Sequence, residues 1–169
     1  IPELISKHGA IPGIKVDKGA KPLAGSIDET ITEGLDGLRE RLKEYYNLGA
    51  RFTKWRAVYK ITDDYPSSQS IKSNAHALAR YASLVQEANM VPIVEPEVLM
   101  DGPHNINKCY QVTTDVLNEC YNELETHKVD LKGTVLKPNM IIPGSECNDR
   151  SSSEEIANKT LDCLKKNVP

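Results

Sequence analysis

The sequence predicts an α/β fold built on a parallel sheet with helical crossovers, and two observations carry that prediction. Four short apolar segments follow one another along the chain, each succeeded by a stretch of helical periodicity, and this alternation is what yields parallel strands joined by helices. Charged residues also fall at comparable places in the four strands, since Lys15, Lys54, Glu95 and Lys137 are separated by 39, 41 and 42 residues. A period of about 40 residues marks a repeated structural unit, even though the units are not alike in sequence.

The strands are PGIKV (12–16), RFTKWRAVYKI (51–61), MVPIVEPEV (90–98) and LKGTVLK (131–137). All four are short and rich in β-branched or aromatic residues. Pro92 weakens the third, because proline has no ladder donor. Apolar or small residues recur at Ile31, Leu35, Leu38 and Leu42 in the first helix and at Ile71, Ala75, Leu78, Ala82 and Val85 in the second. The third follows Ile106, Tyr110, Thr113, Leu117, Cys120 and Leu124. Steps of three and four keep each set on one helix face. Gly49 stands where the first helix ends, and Ser151 to Ser153 with Glu154 and Glu155 behind them form a capping box for the fourth.

A chain of 169 residues with 39% hydrophobic and 27% charged residues and a net charge of -3 is the size and composition of one soluble domain. That balance excludes a general attraction to nucleic acid and leaves room for a phosphorylated small molecule bound by local basic residues. No run approaches the roughly 20 apolar residues that span a bilayer, and no charged start leads into an apolar signal segment. The chain therefore reads as cytoplasmic, with no membrane partner. Cys109, Cys120, Cys147 and Cys163 lack close CxxC pairing and read as reduced and mostly buried. No metal is expected, because His76, His104 and His127 show no spacing that couples them to the thiols. With no initiator Met, and KKNVP running straight off a helix, the chain reads as cut at both ends.

Eight units at this spacing would form a closed α/β barrel of about 320 residues. The chain then holds about half of one. An open doubly wound sheet is the competing fold, but no GxGxxG or GxxxxGK loop supports a nucleotide site in it.

Alternation along strands places Lys54 with Arg56, and Glu95 with Glu97, each pair on one face; Lys15 and Asp17 pair likewise. If the strand ends are level, these residues and Lys137 converge at one rim. Such a cluster suits imine chemistry: a lysine attacks a ketone only as the free amine, which burial and a neighbouring cation favour. Lys54 is the candidate neighbour of Lys137. Glu95 is the candidate proton donor, provided that its surroundings raise its pKa toward neutrality, and Lys15, Lys54 and Arg56 suit substrate phosphates. Taken singly, Lys137 reads as a strand-end surface lysine, EPE as a solvated turn, and KWR as an exposed edge with Trp55 in the core. Their common phase in the repeat is what favours function.

GIKVDKG (13–19), EGLDGL (33–38), FTKWR (52–56), NAHALARYA (74–82), VPIVEPE (91–97) and GTVLKPNM (133–140) together closely resemble class I fructose-bisphosphate aldolase of the eukaryotic type, nearly without gaps from Ile11 to Pro169. The resemblance implies a (β/α)8 TIM barrel, with residues 1–169 as the central part of its single domain and the four strands as the third to sixth. It implies that Lys137 forms a Schiff base with fructose 1,6-bisphosphate, that Glu95 is the main general acid/base, and that Lys54 assists. Lys15, Arg56 and Glu97 would line the site. It further implies a glycolytic, cofactor-independent lyase that assembles as a homotetramer. The first-strand carboxylate that acts at the cleaved bond, and the phosphate ligands of the last strands, would lie outside these residues. One departure stands inside the signature: Lys132 precedes Gly133, where the family usually has Glu. Two other readings stay open, namely another Schiff-base barrel lyase acting on a deoxysugar phosphate or a keto acid phosphate, and a truncated, non-catalytic scaffold or binding segment.

Overall fold

The computed structural model describes residues 1–148 and 150–169. Its elements in chain order are α1 (Pro2–Lys7), β1 (Gly13–Lys15), β2 (Ala20–Pro22), β3 (Thr30–Thr32), α2 (Leu38–Asn47), β4 (Phe52–Tyr59), α3 (Ser68–Glu87), β5 (Val91–Val98), α4 (Ile106–Thr126), a 3-10 turn (Leu131–Gly133), β6 (Val135–Leu136) and α5 (Ser153–Asn167). Strands β1, β4, β5 and β6 form one sheet in that order, every neighbouring pair parallel. Because spatial order follows chain order without reversal, right-handed crossovers put the connecting helices on the same face. That is the construction of a barrel wall; a doubly wound sheet reverses direction midway.

The two faces differ accordingly. On β4, Thr53, Trp55, Ala57 and Tyr59 are buried toward the helices, while Lys54 and Arg56 point to the other, barer face. Trp55 and Tyr81 stack with centroids 5.4 Å apart, and around them Leu78, Ala82 and Val85 of α3 meet Val116, Leu117, Cys120 and Leu124 of α4 in one core. Burial pushes the Cys120 thiol up to about 12, and all four cysteines are free and buried, as expected from their sequence. No helix among the described residues is long and apolar enough to cross a membrane.

Helices α3, α4 and α5 lie where periodicity put them. Ser67, Asn105 and Ser152 each cap a helix by accepting a bond from a main-chain N–H three residues on, and Gly49 follows α2 with φ +106. The first helix does not begin at Ile31. Residues 30–32 instead form β3, antiparallel to β2, because Gly34 (φ +130) and Gly37 (φ +64) adopt conformations that no helix accommodates. Helix α2 starts only at Leu38. Buried Asn74 fastens the hairpin, accepting from Thr32 N–H at 3.2 Å and donating to the Thr30 carbonyl at 2.9 Å.

The last strand is also shorter than the apolar run suggests. Leu131–Gly133 turn under an Asp130 side-chain cap, so Lys132 belongs to that turn, and only Val135 and Leu136 pair with β5. The reason lies in β5, which keeps Pro92 and Pro96 as an interior strand. The N–H groups of Val91 and Leu99 donate to β4 carbonyls or its flank, so alternation directs residues 92, 94, 96 and 98 toward β6. Two of those four are prolines without an N–H, and Val98 N–H is taken by Asn139 Oδ1 at 3.1 Å. Pro92 is thus tolerated in mid-sheet because its missing donor faces the side where pairing is brief.

Candidate active site

The register sets the site. Lys15 is paired with Lys54, Lys54 with Ile93, and Arg56 with Glu95, while Ile93 pairs with Val135 and Val94 with Leu136. One step past the last ladder pair, Lys137 falls opposite Glu95, and its N–H still donates to the Val94 carbonyl at 2.9 Å. All six anticipated residues therefore share the face away from the helices. They are not at one level, however. Lys54 and Glu95 sit inside strands that continue to Tyr59 and Val98, so the cluster occupies three successive layers of the wall, Lys15 with Lys54, then Arg56, Glu95 and Lys137, then Glu97 opposite Val58, and the expectation of a common rim of strand ends is corrected. β4 and β5 are simply longer than β1 and β6.

Glu95 is the centre. It is buried, at 2% exposure; one carboxylate oxygen accepts from Lys54 Nζ at 2.6 Å and the other from Lys137 Nζ. Lys137 remains reachable, its side chain 56% exposed. Arg56 pairs with Glu97, whose carboxylate raises the guanidinium pKa. Lys15 meets Asp17 at 2.5 Å.

Burial alone would push the Glu95 carboxyl up. Hydrogen bonds from Lys137 and Lys54, together with their charges, outweigh it and hold Glu95 below the usual glutamate range. This corrects the expectation of a carboxyl raised toward neutrality: two ammonium groups stabilise the anion. At rest, then, Glu95 is a carboxylate in contact with Lys137. A proton passed from Lys137 to Glu95 produces, in one exchange, a free amine and a carboxylic acid beside it.

Three supporting residues were not assigned roles from sequence. Asp17, paired with Lys15 in the strand alternation, is buried and accepts from Gly19 N–H at 3.0 Å and Arg56 N–H at 3.3 Å, standing in for a strand carbonyl where β1 has ended. Thr32 Oγ1 donates to the Arg56 carbonyl at 2.7 Å. Asn139 ties the segment after Lys137 to β5 and, through Nδ2, to Thr113 Oγ1 at 3.2 Å. The Asp17 signal lay in its spacing from Lys15; nothing in the periodicity marks Thr32 or Asn139.

The same chain matches the family model described as fructose-bisphosphate aldolase class-I over residues 1–169. The chain belongs to the class I fructose-bisphosphate aldolase family. A probable fructose-bisphosphate aldolase class 1 of Xylella fastidiosa is 57% identical over 168 residues, covering 99% of this chain and 50% of the relative. Cytosolic fructose-bisphosphate aldolase 4 of Arabidopsis thaliana is 53% identical over 167 residues, covering 99% of this chain and 42% of that protein. The aldolase of Plasmodium falciparum, solved in complex with TRAP and a small-molecule inhibitor, superposes with a TM-score of 0.96 at 46% identity, over 99% of this chain and 49% of that one. The chain thus spans about half the length of the aldolases it matches, and its four βα units are part of the aldolase barrel.

Proposed function

We propose that the protein containing this chain is a class I fructose-bisphosphate aldolase, a glycolytic lyase that reversibly cleaves fructose 1,6-bisphosphate to dihydroxyacetone phosphate and glyceraldehyde 3-phosphate. The observation that carries this reading is Glu95 held between Lys54 and Lys137. In the proposed sequence Lys137, freed of its proton, attacks the C2 ketone. Glu95 returns a proton to the departing hydroxyl, water leaves, and an iminium forms. The iminium draws the electrons of the C3–C4 bond as the C4 hydroxyl loses its proton, so the aldehyde departs and an enamine remains. Protonation of that enamine and addition of water restore the amine. Lys54 holds Glu95 in place and balances its charge throughout. Arg56 and Lys15, each on a carboxylate leash, turn to substrate phosphate, and Glu97 sets the resting position of Arg56. The iminium is the electron sink, so the chemistry on these residues calls for no cofactor.

On this reading residues 1–169 are the central part of a single barrel domain, contributing its third to sixth strands. The base at C4 and further phosphate ligands come from the remaining units. The protein works in the cytoplasm as a homotetramer. Borohydride reduction of the full-length protein with dihydroxyacetone phosphate, followed by peptide mapping, tests the reading; it fails if the adduct maps anywhere but Lys137. Comparing bisphosphate with monophosphate sugars separates it from other Schiff-base lyases.

A further inference from the structure

Helices α3 and α4 bring together three metal-ligating side chains outside the lysine site. His76 lies on the outer face of α3, Glu123 in the last turn of α4, and His127 is the residue that caps α4. Their donor atoms all lie within 4.8 Å of one another. Glu123 Oε2 is 3.1 Å from His76 Nδ1, and the two imidazoles meet edge to face with centroids 4.9 Å apart. Sequence spacing could not reveal this set, because the histidines converge on a carboxylate from the next helix and not on a thiol.

Two features distinguish the trio from a chance surface contact. The helices that carry it are locked by the core between them, so the ligands are positioned without a loop having to order. His127 Nδ1 also contacts the Glu123 main-chain carbonyl at 2.9 Å. A carbonyl can only accept, so Nδ1 carries the proton, which leaves Nε2 with a bare lone pair on an oriented ring; a ligand histidine is held in this way by its outer-shell partner. Two imidazoles and one carboxylate form a donor set for a borderline divalent cation such as Zn2+, with a fourth position for water. Exposure allows that position, since the His76 side chain is 51% exposed while those of Glu123 and His127 are 24% and 23%.

We propose that His76, Glu123 and His127 form a Zn2+-class binding site that clamps α3 to α4, separate from the lysine chemistry. The test uses the full-length, chelator-stripped protein titrated with Zn2+ against a chromophoric competitor, with Co2+ as a spectroscopic probe. One equivalent per chain is expected, with tetrahedral Co2+ absorption, a thermal midpoint that rises with Zn2+, and no displacement by excess Mg2+. The double variant His76→Gln/His127→Gln is expected to lose the uptake and the thermal response together, while His8→Gln retains both. Because the two substituted residues lie outside the core, circular dichroism of the stripped double variant checks that it is folded; should it unfold, Glu123→Gln, expected to bind Zn2+ at least about tenfold more weakly, takes its place. Absence of saturable uptake by the unsubstituted protein, or uptake unchanged in the folded variants, overturns the proposal.

Discussion

Arg56 and Glu95 are direct register partners across β4 and β5, yet their side chains do not pair. Arg56 reaches diagonally to Glu97, and Glu95 is reached diagonally by Lys54. Diagonal neighbours on a sheet are within range of long side chains, and the offset has a chemical result. Guanidinium, which keeps its proton, is directed away from the central carboxylate, and Glu95 is left with two amines that can exchange one.

Replacing Glu95 by Gln removes the proton acceptor while keeping the shape. Turnover of the full-length enzyme is expected to fall by roughly 10²- to 10⁴-fold, with the rate of borohydride-trapped adduct falling in parallel. An unchanged trapping rate would show that the acid/base role lies elsewhere.

Acid stability should follow the same residue. The Glu95 carboxyl titrates below its ordinary 4.5 in the folded state, so its contribution is fully present above that value and is lost as pH falls through the lower folded value. Urea midpoints of Glu95→Gln are therefore expected to drop less steeply below pH 4.5 than those of the unsubstituted protein.

Arg56→Ala should act on substrate affinity. Loss of charge-assisted bonds to a phosphate, about 1.5–3 kcal/mol, predicts a KM higher by about 10- to 100-fold with a smaller change in kcat. Steady-state kinetics on the bisphosphate would measure both.

Gly34→Ala should destabilise the fold. A Cβ there would lie 2.9 Å from Lys18 N and 3.3 Å from Trp55 at φ +130, a conformation costing a non-glycine residue roughly 1–3 kcal/mol before any clash. Chemical denaturation would read the loss directly.

Asn74→Ala leaves the Thr32 N–H and Thr30 carbonyl of the hairpin without their buried partner. A loss of about 1–3 kcal/mol is expected. Hydrogen exchange at the Thr32 amide should accelerate, whereas Thr53, between β1 and β5, should stay protected.

The parallel order and the shared face of the six charged residues were legible because period-two alternation and the 40-residue repeat survive in the sequence. Ile31 and Leu35 misled because spacing of four apolar residues is neutral between a helix and a strand followed by a turn; the two glycines decided, through backbone angles that composition does not display. The Glu95 pKa could not be read at all. Its sign depends on whether two lysines 41 and 42 residues away arrive on the same carboxylate, which is a fact of register.

The two prolines of β5 carry a further consequence. Between Pro92 and Pro96 only Val94 can donate toward β6, so the fourth strand is zipped for two residues and then let go. Lys137 is the first side chain beyond that release. Its backbone is held on one side by the Val94 carbonyl, which accepts the Lys137 N–H, and on the other by Asn139, so on the proposed reading it is the side chain alone that would turn from Glu95 toward a ketone. The point at which β6 leaves the ladder beside Lys137 is thus set by imino acids on the neighbouring strand, and restoring a donor at position 96 would be expected to lengthen the zipper.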